Sequence, residues 1–232
     1  MNKYLSIILV APQMGENIGA VARAMKNFDV RDLRIVAPRD GWPNEKAENM
    51  AVGAVDIIKD AKIYGNLEDA IKDLEYLYAT SATKRDINKE HVLSKNLKLD
   101  YPVGSKAGIM FGRENCGLTN NEISYANKII TIDTGEFSSL NIAQSIVIIC
   151  YELFNKIDRV DLVNNQKLAT KLELEYFFDH LFIELDKKNF FKISKKKTLM
   201  VQNIKNIFTR IDKLSSSELQ TLRGIMSKLT RK

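Results

Sequence analysis

The sequence predicts an α/β fold built on a mostly parallel sheet, and three observations predict it. Short β-rich runs alternate with helical patterns through the first two-thirds of the chain, as in strands joined by crossover helices. The unusual polar and glycine-bearing stretches fall directly after the strands, where open α/β sheets carry their ligands. Beyond about residue 155 the β-runs stop and only amphipathic helical patterns remain.

Taken in order, Leu5–Val10 reads as a buried first strand, Leu33–Val36 as a second, and Tyr76–Thr80, Ile109–Phe111 and Ile129–Ile132 as three more. Helical patterns lie between them at Ile18–Phe28, Glu45–Ile58, Leu67–Asp73 and Asn120–Asn127. The stretch Asp86–Gly104 is polar, shows no clear period and reads as a long loop. The last stretch of this part, FSSLNIAQSIVIICY at Phe137–Tyr151, opens with Ser138, Ser139 and Asn141 and then turns apolar on all sides. Such a helix, Leu140–Leu153, is expected to be buried or to sit in a subunit interface.

The tail repeats the helical pattern three times. Leu174, Phe177, Phe178, Leu181 and Leu185 form one stripe, and Ile204, Ile207, Phe208 and Ile211 another. Ser215 with Glu218 makes a capping box for a last helix bearing Leu219, Leu222, Met226 and Leu229. The expected organisation is a domain over 1–155, a polar linker over 156–168 and a small basic helical extension over 169–232, with a Lys195–Lys197 run inside it.

Composition bounds the function. The chain has 232 residues, 45% hydrophobic and 28% charged, an ordinary balance for a globular protein. No apolar run reaches membrane-spanning length, and the opening apolar run is too short for an export signal, so a cytoplasmic address is expected. Two cysteines without a CxxC spacing and two histidines leave little material for a zinc site or a nucleophilic triad, and no metal is expected. Residues 1–155 carry 18 Lys/Arg against 20 Asp/Glu, while residues 156–232 carry 17 against 9. The positive excess of the whole chain therefore sits in the tail. That asymmetry fits a phosphate-rich partner or a solvated basic face.

Three strand-end loops hold the candidate chemistry. PQMGENIGAVA at Pro12–Ala22 is neither a dinucleotide fingerprint nor a P-loop. Asn17 is placed as a helix N-cap, and Gly19, Arg23, Lys26 and Asn27 fall opposite the apolar stripe. Arg23, beside a small residue that leaves room, suits either an anion contact or a plain surface position. TSATKR at Thr80–Arg85 lets a ligand approach the backbone or forms an ordinary turn. In FGRENCGLT at Phe111–Thr119, Gly112 gives a sharp exit, Arg113 and Glu114 form a charge pair, and Gly117 and Thr119 supply the turn and cap of the next helix. Glu114 is either half of a salt-bridged turn or a carboxylate aimed into a pocket.

The strings NIGAVARAMKNF, FGRENCGLT and SSLNIAQS resemble, in order and spacing, the three motifs of the SPOUT (trefoil-knotted) RNA ribose 2'-O-methyltransferases of the TrmH branch. The likeness covers about residues 5–155. EYFFDHL at Glu175–Leu181 and LSSSELQTLRGIM at Leu214–Met226 look like the carboxy-terminal extension of the TrmJ type of tRNA (cytidine/uridine) 2'-O-methyltransferase. The chain departs from the pattern at Phe28-Asp29, where the family usually has Phe-Gly, and at Phe137, where Tyr is frequent.

The resemblance implies a deep trefoil knot at the carboxyl end of the sheet, with bent S-adenosyl-L-methionine held there. Implied cofactor contacts are Ala79, Thr80, Ser81, Gly112, Arg113, Glu114, Ile132, Ser139 and Leu140. Arg23, Asn17, Glu114, Ser139 and Asn141 are the implied catalytic set. A guanidinium, with its pKa above about 12, is a poor base at neutral pH, so Arg23 is read as a phosphate anchor and orienting group. The resemblance further implies a tRNA substrate, modified at a pyrimidine in anticodon-loop position 32, and a homodimer through the knot. A ribosomal RNA methyltransferase, or a knotted RNA-binding protein without activity, are the alternatives.

Overall fold

The structure, a computed structural model, describes residues 4–83, 87–154, 167–191, 194–211 and 214–230. Among them, seven strands form one sheet: β1 (Leu5–Val10), β2 (Asp32–Val36), β3 (Lys62–Tyr64), β4 (Tyr76–Thr80), β5 (His91–Leu93), β6 (Ala107–Phe111) and β7 (Lys128–Thr131). The order is β3-β2-β1-β6-β4-β7-β5, and every neighbouring pair is parallel. All six residues of β1 and all five of β6 are buried, the near-continuous apolar burial of a sheet covered on both faces.

Alternation along β1 sorts the covering helices. Leu5, Ile7 and Leu9 face a core shared with α1 (Gly15–Asn27), α2 (Glu45–Ala51), α3 (Val55–Lys59) and α7 (Ile142–Phe154). Ile8 and Val10 face the other core, under α4 (Leu67–Ile71) and α6 (Asn120–Ser124). The chain thus leaves α6 on one face, passes through the sheet as β7 and reaches the other face as α7. β7 is inserted between β4 and β5, both laid down earlier in the chain, the insertion expected of the trefoil-knotted fold. The connection around it is pinned by charge: the Lys128 ammonium reaches Asp100 at 2.6 Å, and the Tyr78 hydroxyl donates to the same carboxylate at 2.7 Å.

Several expectations change. The supposed loop 86–104 contains β5, a 3-10 turn at Ser94–Asn96 and the short helix α5 (Leu97–Asp100). The helix expected over Glu45–Ile58 is broken where Val52 turns left-handed, at φ 45°. α6 stops at Ser124, three residues early. Gly19 does not face open space: a Cβ there would meet the Ala47 carbonyl oxygen at 2.4 Å, because α2 crosses α1 in backbone contact. Asp29, standing where the family has Gly, takes φ 56°. It closes α1 in a Schellman motif, with Val30 N–H on Met25 O and Asp29 N–H on Lys26 O.

The tail forms α8 (Lys171–Lys187), α9 (Ser194–Thr209) and α10 (Ser216–Thr230). Leu174, Phe177, Phe178 and Leu219 make its core, with Leu181, Phe208, Leu222 and Met226 against it, whereas Ile207 and Leu229 are exposed. The Ser215–Glu218 capping box is present. So is a second one, Thr170–Glu173, at the start of α8. Residues 156–166 of the expected linker lie outside the described residues, as do Lys84 and Arg85.

The helices dock on the sheet domain through buried polar groups. Asn127 accepts from Leu77 N–H and from the Lys171 ammonium and donates to the Thr209 carbonyl. Lys89 donates to the carbonyls of Ser124 and Ala126 and to the Thr209 hydroxyl. Lys205 lies over the Tyr125 ring, 4.3 Å from its centroid. Burial, with the charges of Lys171 and Arg210 nearby, pulls Lys89 down to about 6, and burial pulls Lys171 down to about 7. Both fall below the ordinary lysine value, so between those values and about 10.4 the unfolded chain binds more protons than the folded one. Stability contributed at this junction therefore rises with pH across that window. The melting temperature is expected to increase from about pH 6 to about pH 9, with a shallower increase in Lys171→Met; equal slopes would show that Lys171 does not set it.

Candidate active site

The carboxyl ends of β1, β4, β6 and β7 open on one side of the sheet, and the segments after them wall a cavity of about 480 Å³. Its apolar surface comes from Phe111, Ile130, Ile132, Leu140 and Ile142, and its polar rim from Thr80, Ser81, Ser139 and Asn141. That volume and that mixture suit a small-molecule ligand of nucleoside size with a charged tail. Of the residues expected at the cofactor, Thr80, Ser81, Gly112, Arg113, Glu114, Ile132, Ser139 and Leu140 line it. Ala79 does not. It is fully buried within β4, paired with Met110 and Ile129, one residue short of the strand end.

A chain of hydrogen bonds joins three of the loops. Ala143 N–H donates to Asn141 Oδ1 at 2.8 Å, and Asn141 Nδ2 donates to Asn17 Oδ1 at 3.1 Å. Asn17 Nδ2 then donates to Glu114 Oε1 at 2.9 Å, and Gln13 N–H meets the other carboxylate oxygen at 2.9 Å. Every donor points toward Glu114, so the carboxylate orients both amides. Asn17 is therefore not an N-cap. α1 begins at Gly15, which leaves Asn17 inside the first turn with its amide turned to the cavity. Asn141 takes the capping role instead, at the mouth of α7.

Arg113 and Glu114 do not pair with each other. Arg113 reaches Glu122 through two bonds, at 3.1 and 3.0 Å, across the turn closed by Gly117, whose φ is 68°. Although burial pushes Glu122 up, the bonds from Arg113 and Thr119 outweigh it and hold the carboxyl below the usual range. Thr119 and Glu122 also form the capping box of α6. The ion pair is thus a brace that fixes the loop and leaves Glu114 to the cavity. Gly112 is needed for the loop itself: a Cβ there would fall 2.1 Å from the Gly117 carbonyl carbon.

Arg23 stands apart. It is exposed on α1 and does not line the cavity of its own chain. Cys116, Ser145, Phe111 and Ile130 also line the cavity, although none was named as a candidate site residue. For Phe111 and Ile130 a signal existed, since they are the last inward-facing positions of buried strands. Among the described residues no group of His, Cys, Asp and Glu is arranged to hold a metal ion.

Residues 4–151 match the model of the SpoU rRNA Methylase family. The chain belongs to the SpoU methylase family. Residues 172–232 of this SpoU methylase match the C-terminal domain of tRNA methyltransferase TrmJ. It is 35% identical over 177 residues to the tRNA (cytidine-2'-O-)-methyltransferase TrmJ of Methanocaldococcus jannaschii, covering 74% of this chain and 76% of that protein. The crystal structure of TrmJ from Z. mobilis ZM4 superposes with a TM-score of 0.90 at 36% identity, covering 97% of this chain and 99% of that one. The AdoMet complex of AviRb from Streptomyces viridochromogenes, at 18% identity and TM-score 0.52, shares the fold over 65% of this chain and 59% of that one.

Gly112→Ala tests the loop geometry. With backbone as the obstacle, the added methyl is expected to cost about 1–3 kcal/mol of stability and to weaken ligand binding in the cavity. An unchanged melting curve would show that the 112–118 loop yields freely.

Proposed function

We propose that this SpoU methylase transfers a methyl group from S-adenosyl-L-methionine to a ribose 2'-hydroxyl of tRNA, at a pyrimidine in anticodon-loop position 32. The observation that carries this reading is the junction of the three motif loops. Asn17, Glu114 and Asn141, the polar residues of three separate strings, meet in one hydrogen-bonded chain on the wall of one cavity. The TrmJ names of its relatives and the matched C-terminal domain support the choice of tRNA.

The cavity residues fit the cofactor. Ile130, Ile132 and Leu140 offer apolar contact for an adenine ring, and the backbone at Thr80–Ser81 and Gly112–Glu114 is open to its polar edges. When bound, the cofactor supplies an electrophilic methyl carbon on a positive sulfur. The residues' task is then alignment and control of charge in an in-line displacement. Ser139 and Asn141 hold the ribose side at the mouth of α7, and Glu114 fixes Asn17 and, through it, Asn141. The proton leaves the hydroxyl for water or a neighbouring phosphate, since no guanidinium accepts it at neutral pH.

Arg23 binds the phosphate beside the target ribose. It does not line its own chain's cavity, and in this reading a second copy presents it, in a homodimer formed through α7 and the knot. Exposed Val147, Tyr151 and Phe154 on α7, with Phe28 against the two rings, provide an apolar face for that contact. The basic helical extension adds charge for the tRNA backbone.

Nucleoside mass spectrometry of unmodified bulk tRNA, incubated with the protein and the cofactor, is the direct test. New 2'-O-methylcytidine or 2'-O-methyluridine at position 32 is expected, with a loss of about two orders of magnitude or more in Arg23→Ala and cofactor affinity retained. Methylation of ribosomal RNA only, or at another tRNA position, would overturn the substrate reading. Failure to bind the cofactor would overturn the site.

A further inference from the structure

Glu114 is held by a backbone amide, and that amide is itself held. The N–H on its Oε2 belongs to the Pro12–Gln13 peptide. The carbonyl of the same peptide accepts the backbone N–H of Arg39 at 3.1 Å, and the next carbonyl, that of Gln13, accepts from the Arg39 side chain, Nη2, at 2.5 Å. Arg39 Nε is engaged by Asp40 at 2.9 Å, which turns the free end of the guanidinium toward the loop. From the turn after β2, residue 39 thus holds two successive peptides of the turn after β1, the first through its backbone and the second, Gln13–Met14, through its guanidinium.

The turns it joins are strained. Ala11 and Ala37, the first residues beyond β1 and β2, take φ of 48° and 44°, the left-handed region that a side chain makes unfavourable. Such conformations persist where the surroundings over-determine them, and they cluster near working sites. Here Ala11 N–H bonds to Val36 O and Ala37 N–H to Tyr64 O, and Arg39 closes the set. Without Arg39, the side-chain contribution to that set is gone and the turn carrying Gln13 is free to relax.

From this we infer that Arg39 is a positioning residue for methyl transfer: its guanidinium holds the Gln13 carbonyl so that the amide of the same residue keeps Glu114, and through it Asn17 and Asn141, in register. The inference rests on the activity proposed above, and it deepens the account of the same site. Arg39 does not line the cavity, and its effect on Glu114 runs through the backbone of Gln13, whose carbonyl it holds and whose amide Glu114 accepts.

The test pairs Arg39→Met with Arg39→Lys in the full-length protein. One readout needs no activity: hydrogen exchange at the Gln13 amide should quicken at least tenfold in Arg39→Met and recover in part in Arg39→Lys, which keeps a donor for the Gln13 carbonyl. In tRNA methylation, kcat should fall about tenfold in Arg39→Met with the KM for cofactor and for tRNA within about twofold, and Arg39→Lys should regain part of it. A raised KM for tRNA at unchanged kcat would overturn the inference and make Arg39 a phosphate contact. Unchanged Gln13 exchange would overturn it outright. A wild type that methylates no tRNA defeats the proposed function alone, because the exchange measurement still decides the clamp.

Discussion

The site depends on one carboxylate. Glu114 accepts from Asn17 on one oxygen and from Gln13 N–H on the other, and its charge sets the direction of every hydrogen bond back to the first turn of α7. These partners come from the segments after β1, β6 and β7. In an antiparallel sheet the ends of those strands would alternate between two edges. Only the parallel arrangement, with β1 beside β6 and β7 inserted beside β4, brings all their carboxyl ends to one side. The insertion of β7 is then functional geometry: without it the loop carrying Ser139 and Asn141 would open elsewhere.

Much of this was legible in the sequence. Strands such as Leu5–Val10 and Tyr76–Thr80 are short, nearly continuous β-rich runs, and the structure places both at the expected residues. The three-residue strands β3 and β5 were not, because a run that short carries no period; β3 is also an exposed edge. The motif strings located the cavity loops, since polar residues after a buried strand have few structural reasons to be there. Partners within those loops stayed hidden. Adjacent opposite charges at Arg113 and Glu114 look like a pair, yet their side chains diverge from the strand end, and Arg113 meets Glu122 on the next helix. Gly19 and Gly112 are small because backbone crosses them, and periodicity does not reveal a crossing.

The charge of the tail also reads differently in three dimensions. Lysines 171 and 205 contribute to the basic excess of the carboxy-terminal part, but both are buried where the helices meet the sheet domain. Counting residues therefore overstates the charge offered to a polyanion. The same burial makes the junction specific, because each lysine nitrogen has a fixed set of acceptors and leaving one unmet is costly. Lys89 belongs to this junction and lies on the connection that follows the cavity residues Ser81–Thr83. The junction's partners Ser124, Ala126 and Asn127 precede β7, so the extension is fastened at the amino ends of the strands, the side of the sheet opposite the cavity.

Through Asn17 the three loops form one hydrogen-bonded unit. Among the described residues, the Asn17 amide is the hydrogen-bonded link between Asn141 and Glu114. The measurement is a double-mutant cycle on methyl-transfer turnover for Asn141→Ala and Glu114→Ala, repeated in an Asn17→Ala background. A coupling of about 0.5–3 kcal/mol is expected between the two sites with Asn17 present, and none without it. Losses that simply multiply in both backgrounds would contradict it.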